Sequence, residues 1–131
     1  MPEILLIDDS RSALAAAEQI LTEAGHTVIA CLSANDAMEL AGRTKVDLII
    51  TDIYMPEKDG LEVIHEASRI CPGLPVLAVS SATGTKDMLR TARILGASST
   101  LQKPFSRQSL LQAVSEALGT RFVAPESVSN G

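Results

Sequence analysis

Apolar residues in this chain gather in short runs, separated by longer stretches in which they recur every three or four positions. The runs from Glu3 to Asp8, Val46 to Thr51 and Pro75 to Val79 are nearly all apolar, as strands covered on both faces are. His26 to Cys31 and Ser98 to Gln102 predict two further, shorter strands. Between them, Ser10 to Ala24 places Leu14, Ala17, Leu21 and Ala24 on one face of a helix. The same spacing predicts helices over Ala34 to Arg43, Leu61 to Ile70, Thr85 to Leu95 and Ser106 to Leu118. Ser33 or Asn35, and Ser106, are available as N-caps. Gly25, Cys71-Pro72-Gly73 and Gly96 supply the stops, and Pro56 to Gly60 reads as a turn.

Strand and helix thus alternate five times, with connections too long for hairpins. This predicts parallel strands joined by right-handed crossovers. The fold class is α/β: a doubly wound five-stranded parallel sheet of order 2-1-3-4-5, with its switch between strands one and three. Residues 1–120 are expected to form one domain. Residues 121–131, rich in Pro, Ser, Asn and Gly, are expected to be a flexible tail.

Composition narrows the function. At 131 residues and 46% hydrophobic, the chain can bury one core, and with aromatics at 2% that core is aliphatic. No apolar run approaches the ~20 residues of a membrane span. Met1-Pro2-Glu3 does not open a secretory signal, so a cytoplasmic protein is expected. Cys31 and Cys71 lack metal-motif spacing and read as reduced, buried thiols. The net charge of -5 argues against nonspecific nucleic-acid binding. From Thr83 to Arg107, however, Lys86, Arg90, Arg93, Lys103 and Arg107 face the single acid Asp87, a local charge of +4. Such asymmetry marks either a partner surface or a solvated helix face.

The candidate chemistry lies where strands end. Strand one ends at Asp8-Asp9, strand three at Asp52, strand four at Ser80 and strand five at Lys103. In a parallel sheet these ends share one rim, at the crevice where open α/β sheets hold ligands. Three carboxylates there repel one another unless a cation joins them. A divalent-metal site beside a carboxylate nucleophile is expected.

Four pieces in order, Asp8-Asp9, then Asp52 with Met55-Pro56 and Asp59-Gly60, then Ser80-Ser81-Ala82, then Lys103-Pro104-Phe105, resemble the receiver domain of two-component response regulators. The chemotaxis regulator is the single-domain example of that family. The likeness covers residues 3–118 and implies a flavodoxin-like (βα)5 sheet. It implies that Asp52 accepts a phosphoryl group from a histidine kinase or histidine phosphotransfer protein, as carboxylates do in covalent phosphotransfer. It implies Mg²⁺ held by Asp9 directly, Asp8 through water, Asp52, and the backbone carbonyl of Tyr54. Lys103 and Ser80 would meet phosphoryl oxygens, with a cis Lys103-Pro104 bond. The resemblance makes the chain a switch that catalyses its own phosphoryl transfer and slow dephosphorylation, not an enzyme acting on a separate substrate. Tyr54 and Ala82 occupy the positions that tune hydrolysis.

The helix Ser10 to Ala24 would meet the phosphodonor. The face carrying Lys86, Arg90, Arg93 and Arg107, and continuing into the last helix, would meet a downstream protein target, with an acidic patch expected on it. No nucleic acid or membrane contact is expected, and the chain would be a monomer or weak dimer. Thr100 departs from the pattern, because many receivers carry an aromatic switch residue there. That departure favours, weakly, an alternative: a degenerate receiver acting as an interaction module without phosphorylation. Two further rivals fit less well. A flavodoxin-like cofactor binder would not place Asp8-Asp9 where a phosphate must bind. A haloacid-dehalogenase-type phosphatase wants an acid at the position of Tyr54. His26 and His65 stand outside the motif set and carry no assigned role.

Overall fold

A computed structural model describes residues 2–53, 60–80 and 86–130, with side chains described for all of these except 86–89 and 120–130. The expected turn over 56–60, Tyr54, Ala82 and the side chain of Lys86 therefore lie outside the described residues, wholly or in part. The elements run β1 (Glu3–Ile7), α1 (Arg11–Glu23), β2 (Thr27–Cys31), α2 (Ala34–Arg43), β3 (Leu48–Asp52), α3 (Gly60–Ile70), β4 (Val76–Ser80), α4 (Lys86–Leu95), β5 (Ser99–Gln102) and α5 (Arg107–Asn130). All neighbouring strands are parallel, in the order β2-β1-β3-β4-β5. No helix among the described residues is long and apolar enough to cross a membrane.

Side chains alternate across the sheet and divide the core in two. Leu5, Ile7, Ile49 and Ala78 pack toward α2, α3 and α4 with Met38, Ile64 and Ala92. Ile4, Leu6, Ile50, Leu77 and Val79 pack toward α1 and α5 with Leu14, Leu21, Leu110 and Val114. Strands β3 and β4 are buried throughout, which explains their continuous apolar runs, while the edge strand β2 is only partly covered. Cys31 is buried and Cys71 half-buried, both as thiols. The expectation that both would be buried holds for Cys31 alone, because Cys71 lies where the chain leaves α3 for the surface turn.

The caps form locally. The hydroxyls of Ser10, Ser33 and Ser106 accept from the amides of Ala13, Asp36 and Ser109. Gly25 and Gly96 adopt φ of 98° and 127°, the left-handed conformation that lets the chain turn back from α1 and α4 into the next strand. Helix α5 runs to Asn130, past the Leu118 at which the pattern predicts its end. Gly119 costs a helix about 1 kcal/mol relative to alanine, a penalty that does not by itself end it.

Candidate functional site: an acidic cluster with a half-buried lysine

The parallel register sets the site. Ile7 lies beside Thr51, so Asp8 leaves β1 level with Asp52, the last residue of β3. Asp52 in turn is level with Val79, one residue before Ser80, and Ser80 is level with Gln102, one residue before Lys103. Backbone bonds hold this rim: Ile53 N–H donates to Val79 O at 2.9 Å, and Lys103 N–H to Ser80 O at 2.6 Å.

Asp8, Asp9 and Asp52 each offer a carboxylate oxygen within 4.8 Å of the others, as a shared cation requires. Asp8 and Asp52 are buried and Asp9 is exposed. Asp8 is fixed through both oxygens. Oδ1 accepts from Ser10 N–H at 3.0 Å, tying it to the start of α1, and Oδ2 accepts from Lys103 Nζ at 2.8 Å. Lys103 Nζ reaches Asp52 Oδ2 at 3.4 Å, so one ammonium bridges two strands' carboxylates. Burial lowers the lysine's pKa, but the hydrogen bond to Asp8 and the charges of Asp52 and Asp8 outweigh it. The net shift is upward, which keeps the ammonium charged at neutral pH. The Lys103-Pro104 peptide is cis.

Ser80 is fully buried, and among the described residues its Oγ has no hydrogen-bond partner. An unpaired buried hydroxyl costs roughly 1–3 kcal/mol. At the rim of an acidic cluster it is a donor awaiting an acceptor. Three carboxylates within reach of one another fit Mg²⁺, a hard cation that takes oxygen ligands. Asp8, Asp9 and Asp52 are the described residues that would hold it; the fourth expected ligand, the Tyr54 carbonyl, lies outside them.

The structure brings together Asp8, Asp9, Asp52, Ser80 and Lys103. It directs other singled-out residues elsewhere. Thr100 Oγ1 accepts from Arg93 Nη2 of α4 at 3.5 Å. Arg107 donates to Glu23 of α1 at 2.7 Å, so its guanidinium is directed to α1. Arg90 and Arg93 are exposed on α4. His26 is half-buried, its Nδ1 has no partner among the described residues, and burial lowers its pKa. His65 is exposed on α3.

Two features escaped the motif reading. A cleft of about 440 Å³ opens between α1 and α5 beside Asp8, Asp52 and Lys103, with Ala13, Ala17, Phe105 and Leu110 in its walls. The alanine-rich α1 was its only trace in the sequence. The second is the role of Gly60, whose N–H donates to Ile53 O at 2.8 Å. A Cβ there would lie 2.6 Å from Ile53 Cα and overlap the Asp52 carbonyl oxygen. Backbone cannot yield as a flexible side chain can, so α3 would have to move off β3. Gly60→Ala is expected to cost about 1–3 kcal/mol in urea unfolding, as overpacking does. Amide shifts concentrated at Asp52 and Ile53 would accompany the loss; parent-like stability would show that no such clash exists.

The family profile of the response regulator receiver domain matches residues 4–115. The chain belongs to this family. As a receiver domain it is 32% identical over 114 residues to the protein PilG of Pseudomonas aeruginosa, covering 86% of this chain and 84% of that protein. It is also 32% identical over 115 residues to the transcriptional regulatory protein GlrR of Escherichia coli, covering 88% of this chain but 26% of that regulator. The chain thus spans about a quarter of the length of GlrR. Among solved structures, a response regulator receiver domain protein from Clostridium thermocellum superposes with a TM-score of 0.87 at 26% identity, covering 94% of this chain and 98% of that one. The Vibrio cholerae chemotaxis protein CheY4 superposes with a TM-score of 0.82 at 25% identity, covering 89% and 98%.

Proposed function

We infer that this receiver domain is a phosphorylation switch with Asp52 as the acceptor. The observation that carries the reading is the gathering of three carboxylates, two of them paired with Lys103, with the buried hydroxyl of Ser80 unspent at the same rim. An Asp52 oxygen attacks the phosphorus of a phosphohistidine. The new O–P bond forms as the N–P bond breaks, and the imidazole leaves with the electron pair. Bound Mg²⁺ would neutralise charge on the transferring group. Lys103 meets a phosphoryl oxygen and Ser80 Oγ–H donates to another, so the chain's part is positioning and electrostatic stabilisation.

The phosphoryl group adds roughly two negative charges. Ser80, directly before the connection to α4, is the donor placed to move toward them. The phosphodonor is a histidine kinase or histidine phosphotransfer protein, approaching over α1. Output passes to a protein target through the face carrying Arg90 and Arg93. Tyr54 and Ala82 make self-dephosphorylation slow, because Ala82 cannot orient an attacking water. With Thr100 held by Arg93 rather than replaced by a mobile aromatic, switching runs through the backbone after Ser80.

Incubation with acetyl phosphate and Mg²⁺ tests the reading by intact mass. A gain of one phosphoryl group is expected, mapping to the peptide that carries Asp52 and vanishing when Mg²⁺ is chelated. No gain, or a gain mapping elsewhere, would overturn it in favour of an interaction module that works without phosphorylation.

A further inference from the structure

The chemistry assigned to Asp52 leaves the cleft between α1 and α5 without a use. The floor of that cleft is the sheet. Leu6 of β1 and Ile50 of β3 are paired neighbours in it, and both line the cleft. Side chains alternate along a strand, so Asp8 and Asp52, two residues further on, lie on the same side of the sheet. They line the cleft as well. The floor therefore has an apolar rung and, about 6.6 Å along, a charged one.

The walls fix what can enter. Ala13 and Ala17, four residues apart, share one face of α1, and Leu110 of α5 also lines the cleft. The small alanines leave about 440 Å³ open above the sheet. Leu6, Ile50 and Leu110 are buried although they line that space. The opening is therefore too narrow for a helix, which needs about 10 Å, but wide enough for a slender chain. The charged rung sets the polarity of the occupant. The carboxylates of Asp8 and Asp52 face the single ammonium of Lys103, which leaves an excess of one negative charge, and Asp9 adds another within 4.8 Å. Asp8 accepts once at each oxygen, from Ser10 and Lys103, whereas a carboxylate has about four acceptor sites.

We propose that this cleft binds a small primary amine with an apolar tail, its ammonium between Asp8 and Asp52 and its tail over Leu6 and Ile50, beside the alanines of α1. A largely apolar pocket with a few convergent polar groups at one end is the usual form of a small-molecule site. Charge selects among tails of equal length. An anionic head meets net repulsion at the charged rung, and a neutral head gains only the burial of the tail. The amine's own ammonium supplies the positive charge that the rung lacks. An occupant placed in this way covers Asp52 and so excludes a phosphodonor. That consequence rests on Asp52 being the acceptor, whereas the binding itself does not.

Titration calorimetry and amide shifts, in chelator and without phosphodonor, test it with octylammonium, octanol and octanoate as probes. Octylammonium is expected to bind with a Kd below about 1 mM and to shift the amides of Ala13, Ala17 and Leu110. Octanol binds about tenfold more weakly, for want of charged hydrogen bonds, and octanoate more weakly still. Removing one methylene from octylammonium weakens it about two- to fourfold. Asp52→Asn weakens octylammonium about fivefold or more and leaves octanol unchanged. Ala17→Leu fills the cleft and weakens both about tenfold or more, while its melting temperature is no lower than the parent's. Should Ala17→Leu not fold, Ala13→Leu, at a half-buried position, carries the same expectation. No binding of octylammonium up to about 10 mM overturns the proposal and leaves the cleft to a side chain of a docked protein. Octanoate binding as tightly as octylammonium, or full affinity in a filled variant, overturns it as well.

Discussion

Replacing Asp52 by asparagine abolishes phosphorylation and, in metal-free solution, raises folding stability by about 1–2 kcal/mol. The two effects share one cause. Asp52 shares its rim with the carboxylates of Asp8 and Asp9, all within 4.8 Å. At an effective dielectric near 20 each such repulsion costs about 3 kcal/mol, while the attraction to Lys103 at 3.4 Å returns about 5 kcal/mol. Among these three charges repulsion wins by a small margin, and burying the carboxylate adds to its cost. Asparagine has the same shape without the charge. Lys103 is not orphaned by the change, because its shorter bond, 2.8 Å, is to Asp8. Thermal unfolding in chelator should show Tm rising by roughly 3–8 °C. Added Mg²⁺ should narrow the gap, since a divalent cation gains more from three carboxylates than from two. A variant less stable than the parent in chelator would show that Asp52 is a net stabiliser and that the cluster is not electrostatically strained.

The residues of this rim were legible in the sequence for a simple reason. A strand covered on both faces must be apolar, so the first polar residue at its end stands out, and parallel topology sends all such ends to one edge. Asp8, Asp9, Asp52, Ser80 and Lys103 were all found this way, and the strand order followed from the alternation of elements. The finer arrangement was not legible. Nothing in the spacing says that Lys103 pairs more closely with Asp8 than with Asp52, because that depends on side-chain reach across two intervening strands. The unsatisfied hydroxyl of Ser80 is likewise a property of its surroundings and not of its position in the chain. The cleft between α1 and α5 is a difference between packing distances, and Ala13 and Ala17 disclose only that their side chains are small. The basic segment that reads as one surface in sequence is divided in space, because Arg107 turns to Glu23 while Arg93 turns to Thr100. The end of α5 escaped for another reason. The segment 121–131, rich in Pro, Ser, Asn and Gly, reads as a tail, but such residues set an energetic cost and not a boundary.

Lys103→Met carries the opposite sign to Asp52→Asn and a larger effect. Methionine preserves most of the aliphatic stem and removes the only ammonium bonded to Asp8 and Asp52 among the described residues. Two buried carboxylates and the exposed Asp9 then face one another without a counter-charge. Breaking a buried ion pair by deleting one partner costs about 3–5 kcal/mol. The Lys103 side chain is 25% exposed, which moderates the loss to about 2–4 kcal/mol by solvent screening. Urea unfolding in chelator would show it. Mg²⁺ should return much of the lost stability by supplying positive charge to the same carboxylates, and that recovery separates an electrostatic deficit from a packing defect. The parent should follow a related course with pH. Its lysine pKa is raised by folding, so the ammonium's contribution is complete below the ordinary lysine value near 10.4 and is lost as pH rises through the higher folded value. Lys103→Met should show no such step. Its phosphorylation by acetyl phosphate should slow about 10²–10³-fold, the loss seen when one preorganised donor to a developing anion is removed. A variant matching the parent in metal-free stability would mean that the short Lys103–Asp8 bond contributes nothing, and the account of this rim as a strained acidic cluster held by one ammonium would fail.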